Sequence, residues 1–142
     1  MPSVAIDTTV LLEYRRENGA NFGHAQAIVD GIDNGSLPTA HVTNYVALET
    51  LNWLHGRQRH DLAVDTYDRL SNSAGFELVD AAQKDFTRAV ELFRTHDVAF
   101  GDATIAAYME RTGIEYLYSF DGEDFGTFEW VTRLDTPDDP FA

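Results

Sequence analysis

The chain has 142 residues, 24 acidic against 10 basic, for a formal charge of −14, and 44% of its residues are hydrophobic. That length suits one domain with a real core, and that apolar content argues against disorder despite the charge. The absence of cysteine excludes disulfides and thiolate–metal sites, and no apolar run approaches the ~18 residues of a membrane span.

In chain order, Met1-Pro2-Ser3 leads directly into a first strand, Val4-Ala5-Ile6, leaving no room for a signal peptide, so a cytoplasmic protein is expected. The strand stops at Asp7-Thr8-Thr9, and Val10 to Arg16 follows as a helix. A second helix covers Phe22 to Ile32, with Phe22, Ala25, Ile28, Val29 and Ile32 on one face. Leu37 to Val42 is a short strand with Pro38 near its entry, and Thr43 can cap a helix over Tyr45 to Leu54. After the polar break Arg57 to Asp61, another amphipathic helix spans about Leu62 to Leu70. Phe76 to Val79 is a third strand, Ala82 to His96 a helix, and Gly101 to Thr112 a further helix with Gly113 as its C-cap. Tyr116 to Phe120 is a strand ending at Asp121-Gly122, and Trp130-Val131-Thr132 a last edge strand. Strands alternating with helices predict a three-layer α/β/α fold around a mainly parallel sheet of four to five strands. Residues 1–134 are read as the domain, and 135–142, with two prolines, as a short acidic tail that frays.

The acidity is spread along the chain, with fifteen Asp, nine Glu and a single lysine, Lys84. Such a surface suits concentrated salt, where a Debye length of ~3 Å at 1 M removes most self-repulsion; an acidic mesophile protein is the alternative. A basic footprint for nucleic acid is missing, yet in strong salt counterion release rewards such footprints little. Nucleic acid therefore stays open as a substrate, gripped through metal ions and local contacts.

Four acids stand out by position. Asp7 and Asp121 each terminate an apolar strand, Asp102 sits at a helix start in Phe100-Gly101-Asp102-Ala103-Thr104, and Glu49 lies inside an apolar helix. Each has a plain explanation as a cap, a turn or a surface residue. Strand ends and helix starts of one parallel sheet nevertheless converge on a single edge. Carboxylates gathered there repel unless cations hold them, and hard oxygen donors without Cys or a His cluster favour Mg²⁺ or Mn²⁺.

Ile6-Asp7-Thr8-Thr9-Val10-Leu11-Leu12, Glu49 in its helix, Phe100 to Ala107, and Ser119-Phe120-Asp121-Gly122-Glu123-Asp124-Phe125 resemble the PIN domain, and within it the VapC-type toxins of toxin–antitoxin pairs. The resemblance runs from Val4 to about Val131. It implies a metal-dependent endoribonuclease in which Asp7, Glu49, Asp102 and Asp121 match the acidic quartet, catalytic and metal-holding. Thr9 and Ser119 match supporting polar residues that orient ligands, and Asp124 a frequent extra acid. Gly101 departs from relatives that carry a larger residue there. The implied cofactor is Mg²⁺ or Mn²⁺, with two Mg²⁺ changing the charge from −14 to −14 + 4 = −10. The implied partners are an RNA substrate such as a tRNA or rRNA, a cognate antitoxin, and a second copy in a homodimer, with no membrane. Arg15 and Arg16 are read as solvated or as phosphate contacts. His41, His55, His60 and His96 show no metal-ligand spacing and are read as surface or core residues, and Tyr14, Phe22, Tyr45 and Trp53 are either core or a groove for an antitoxin helix. The rival readings are a non-catalytic PIN-like binding module and a phosphatase or receiver domain. The latter lacks an Asp-x-Asp after the first strand and a lysine near the last.

Overall fold

Val4, Ala5 and Ile6 are all within 2% of complete burial. They form the middle strand β1 (Ser3–Ile6) of a five-stranded sheet ordered β3-β2-β1-β4-β5 in the computed structural model, which describes residues 2–142. Met1, at the head of the lead-in, lies outside the described residues. The other strands are β2 (Thr39–Thr43), β3 (Phe76–Val79), β4 (Tyr116–Tyr118) and β5 (Thr132–Leu134), and every pairing is parallel. A strand covered on both faces reads as an unbroken apolar run, which is why β1 shows no alternation.

Parallel neighbours need long crossovers. They are supplied by α1 (Thr8–Glu13) and α2 (Phe22–Asn34) between β1 and β2, and by α3 (Asn44–Gly56) and α4 (His60–Asn72) between β2 and β3. From β3 the chain returns through α5 (Gln83–Thr95) and α6 (Phe100–Thr112) to the far side of β1. Right-handed crossovers running in opposite directions put the two helix groups on opposite faces, giving the expected three-layer α/β/α architecture. The strand order reverses between β1 and β4, the place where such sheets open a crevice at their carboxyl edge. From Asp102 through Met109 every residue of α6 is buried. Its end is set by Gly113 at φ 75°, whose amide donates to the Met109 carbonyl at 2.9 Å.

Element boundaries moved where hydrogen bonds found other partners. The first helix ends at Glu13 instead of Arg16, because the Arg15 and Arg16 amides bond three residues back, to Leu12 and Glu13. β4 ends at Tyr118, not Phe120, since the Phe120 and Asp121 amides are taken by the hydroxyls of Thr9 and Ser119. The edge strand lies two residues later than expected, at Thr132–Leu134. The tail is not frayed. The buried Tyr118 hydroxyl donates to the Asp138 carbonyl at 2.6 Å, and Phe141 meets Tyr116 edge-on at 5.3 Å. A buried tyrosine seeks a partner for its hydroxyl, and here the tail provides it. No helix among the described residues is long and apolar enough to cross a membrane.

Candidate metal centre

β1 delivers Asp7 to the carboxyl edge of the sheet with 3% exposure. Asp7 occupies the N-cap position of α1 yet makes no side-chain capping bond, so helix capping does not account for it. Its Oδ2 instead accepts from two hydroxyls, Thr9 Oγ1 at 2.8 Å and Ser119 Oγ at 2.8 Å. A hydroxyl has one proton to give and lone pairs to spare. Thr9 uses its lone pairs on the Phe120 amide at 3.0 Å and Ser119 on the Asp121 amide at 3.0 Å. The pair thus stitches the end of β1 to the loop leaving β4 and sets the course of the backbone into Asp121.

Asp102 enters from the first turn of α6 and is nine-tenths buried; Asp121 and Asp124 come from the loop after β4 and are half-buried. One carboxylate oxygen from each of Asp102, Asp121 and Asp124 lies within 4.8 Å of the others. Asp124 also accepts from the Ala99 amide at 2.9 Å, pinning this loop to the start of α6. Arg133 of β5, which no local motif marks, holds the same loop from outside. Its Nη1 donates to the Ser119 carbonyl at 3.0 Å, and a Cβ on Gly122 would sit 3.1 Å from its Nη2.

Glu49 reaches the cluster from α3. The residue as a whole is exposed but its carboxyl end is partly shielded: a Cβ on Gly101 would stand 2.7 Å from Glu49 Oε2, so the small residue at 101 makes room for the carboxylate against α6.

The electrostatics follow from this crowding. Burial, then the potential hydrogen bonds to Asp121 and Asp124, then the charges of Asp7 and Asp121, push the Asp102 carboxyl up to about 10. Burial likewise lifts Asp7, against the opposing pull of Thr9 and Ser119. Glu49 is raised by partial desolvation of its carboxyl end and by the charge of Asp7. Asp124 is lowered, by Asp102 as a hydrogen-bond donor and by the Ala99 amide. As a carboxylate, Asp102 Oδ2 is buried with no donor in reach. Buried acceptors are nearly always satisfied, so this orphan needs a proton or a cation. The donors are all hard oxygens, a set that fits Mg²⁺ or Mn²⁺ and does not favour softer ions.

The structure therefore gathers Asp102, Asp121 and Asp124 most tightly, with Asp7 and Glu49 close enough for Asp7 to perturb both Asp102 and Glu49. The remaining residues of interest go elsewhere. Arg15 is not solvated; its side chain is 11% exposed and paired with Asp65. His41 bridges the Tyr108 hydroxyl at 2.8 Å and Glu77 at 3.0 Å, and His96 accepts or donates locally to Thr95 and Leu92. Tyr14 and Phe22 line one cavity, whereas Tyr45 lies against Phe86 and Trp53 under the Arg57 guanidinium, so the four aromatics do not form a single groove.

Comparison with known proteins bears on the fold and the family. The chain superposes on the crystal structure of Mycobacterium tuberculosis VapC20, a sarcin–ricin loop cleaving toxin, with a TM-score of 0.75 and 25% identity, covering 90% of this chain and 98% of that one. A toxin–antitoxin complex from Klebsiella pneumoniae matches at TM-score 0.66 and 16% identity, over 96% of this chain and 98% of the other. FitAcB from Neisseria gonorrhoeae matches at 0.67 and 17%, over 93% and 96%. No curated protein sequence matches the chain. Residues 4–129 match the PIN domain, and the chain belongs to that family.

Proposed function

We propose that the chain is a Mg²⁺- or Mn²⁺-dependent endoribonuclease and the toxin of a toxin–antitoxin pair. The observation that carries this reading is the cluster of Asp102, Asp121 and Asp124, one member of which, Asp102, also buries an oxygen that no donor reaches. In this reading Asp7, Glu49, Asp102 and Asp121 hold the metal, with Asp124 added to the set. A metal held by these residues would supply Lewis-acid activation of water and charge compensation for hydrolysis of an RNA phosphodiester.

The protein's own contribution is placement. Thr9 and Ser119 fix Asp7 and aim the loop that carries Asp121. Gly101 leaves room for Glu49 beside Asp102. The cation also offsets part of the −14 charge where RNA must approach. The similarity to a toxin that cleaves the sarcin–ricin loop supports a structured RNA, such as an rRNA loop, as substrate. The toxin–antitoxin complex among the structural neighbours supports a cognate antitoxin as the partner.

A homodimer is the proposed assembly. Phe86 and Phe93 on α5 are 43% and 48% exposed and meet Phe100 edge-on, forming an aromatic strip that water covers poorly in a single copy.

Calorimetric titration with Mn²⁺ tests the metal assignment. Wild type should bind, and Asp102→Asn should bind at least tenfold more weakly. Equal affinity of the two would remove Asp102 from the site.

A further inference from the structure

The hairpin of α3 and α4 turns through Arg57, Gln58 and Arg59, with Gln58 in the left-handed region at φ 60°. This sharp reversal brings His55, in the last turn of α3, against His60, the first residue of α4. Their Nδ1 atoms are hydrogen-bonded at 3.2 Å, one donating and one accepting, with the rings nearly perpendicular at 82°; moving that proton to Nε2 by tautomerisation leaves both Nδ1 lone pairs available to a cation. Neither ring has another hydrogen-bond partner among the described residues. Both border a shallow apolar hollow lined by Leu51, Ala63, Val64 and Tyr67. Five residues of separation is no ligand spacing within one helix, which is why the sequence gives no sign of the pair.

We propose that His55 and His60 form a second cation site, chemically distinct from the carboxylate cluster, for a borderline-soft divalent ion of the Zn²⁺ class. Two nitrogens that bind one tetrahedral ion at 2.0–2.1 Å stand about 3.3–3.4 Å apart, close to the separation the hairpin imposes. A right-angled pair of ligands would stand about 2.9 Å apart, a poorer match. Imidazole nitrogen suits Zn²⁺, Cu²⁺ and Ni²⁺, whereas Mg²⁺ and Mn²⁺ prefer the oxygen donors at the sheet edge. The two sites therefore sort ions by ligand chemistry. Water fills the remaining positions, and the apolar hollow lowers the local dielectric around the ion. Bound there, the ion ties the end of α3 to the start of α4 and restrains the helix that carries Glu49.

The test is Zn²⁺ titration of the full chain in excess Mg²⁺, which occupies the carboxylates. Wild type and Asp102→Asn should each take up one Zn²⁺, with a rise in melting temperature, since an ion bound only by the folded state stabilises it. His55→Gln and His60→Gln should each weaken uptake at least tenfold. Both side chains are exposed, so these variants should keep the wild-type circular dichroism. In wild type, imidazole NMR should show Zn²⁺ shifting the His55 and His60 ring signals while those of His24, His41 and His96 stay in place. Unchanged Zn²⁺ uptake in the two Gln variants, uptake lost in Asp102→Asn, or ring shifts at other histidines would each overturn the proposal.

Discussion

Asp102 is where residue chemistry and function meet. Its carboxyl is ordinarily near 3.8 and is held up at about 10 in the folded chain without metal. Between those values the folded state keeps a proton that the unfolded state releases, so metal-free stability should fall as pH rises from about 4 to about 10. Asp7 and Glu49, also raised, act in the same direction. Urea unfolding across that range checks the sign, and saturating Mg²⁺ should flatten the slope. Asp102→Asn, neutral at every pH, should be less pH-dependent than wild type even without metal. A stability that climbs with pH in the metal-free wild type would contradict the account.

Ser119 offers a second test at this scale. Ser119→Ala removes a donor from buried Asp7 and an acceptor from the Asp121 amide. Groups left unsatisfied in this way cost roughly 1–3 kcal/mol each. Denaturant unfolding should show a loss of about that size, together with weaker Mn²⁺ binding.

At the scale of elements, α5 is tethered to α6 by a charge pair remote from the carboxylates. Asp85, 2% exposed, receives Arg111 through two bonds, at 2.6 and 2.9 Å, and also accepts from the Ala82 amide at 2.7 Å. Arg111→Ala strands that buried carboxylate, at a cost of about 3 kcal/mol. The melting temperature should drop while Mn²⁺ affinity in the folded protein stays within a factor of two. A loss of metal affinity would show that the two regions are coupled.

Much of this level was legible in the sequence. Pattern and turn signals located each α-helix and, with the edge strand two residues off, each strand, because amphipathic faces and apolar runs have partners in the layers; the 3-10 turn Phe125–Thr127 carried no such signal. Boundaries were less legible wherever side chains compete for backbone groups. β4 stops short because Thr9, 110 residues before Ser119, reaches across to the Phe120 amide. The docked tail depends on the Tyr118 hydroxyl, which a local pattern does not reveal. At the site, Asp7, Asp102, Asp121 and Glu49 were picked out by position. The tight grouping of Asp124 with Asp102 and Asp121 needed the loop geometry, and the staple by Arg133 left no local signal. The His55–His60 approach arises from a turn whose left-handed residue is Gln58, not glycine, so composition did not mark it.

For the whole molecule, a net charge of −14 on 142 residues means that self-repulsion opposes the compact state at low ionic strength. Raising NaCl toward 1 M, where the Debye length is about 3 Å, should raise the melting temperature. The gain should be larger than for a near-neutral domain of similar size. A melting temperature that falls as salt rises would contradict an electrostatic origin. The same charge predicts that RNA is held through bound cations and local contacts rather than a basic face. Removing metal should therefore weaken RNA binding as well as cleavage, which filter binding with EDTA can measure.

In the proposed activity the carboxylates at the edge of the sheet hold a metal and serve the cleavage of RNA. Its most direct test is cleavage of a structured RNA pool in high salt, comparing Mg²⁺, Mn²⁺ and EDTA, with wild type beside Asp102→Asn. The account predicts discrete cuts with either metal, none with EDTA, and at least a hundredfold loss in the variant. Metal-independent cleavage, or full activity in Asp102→Asn, would contradict it.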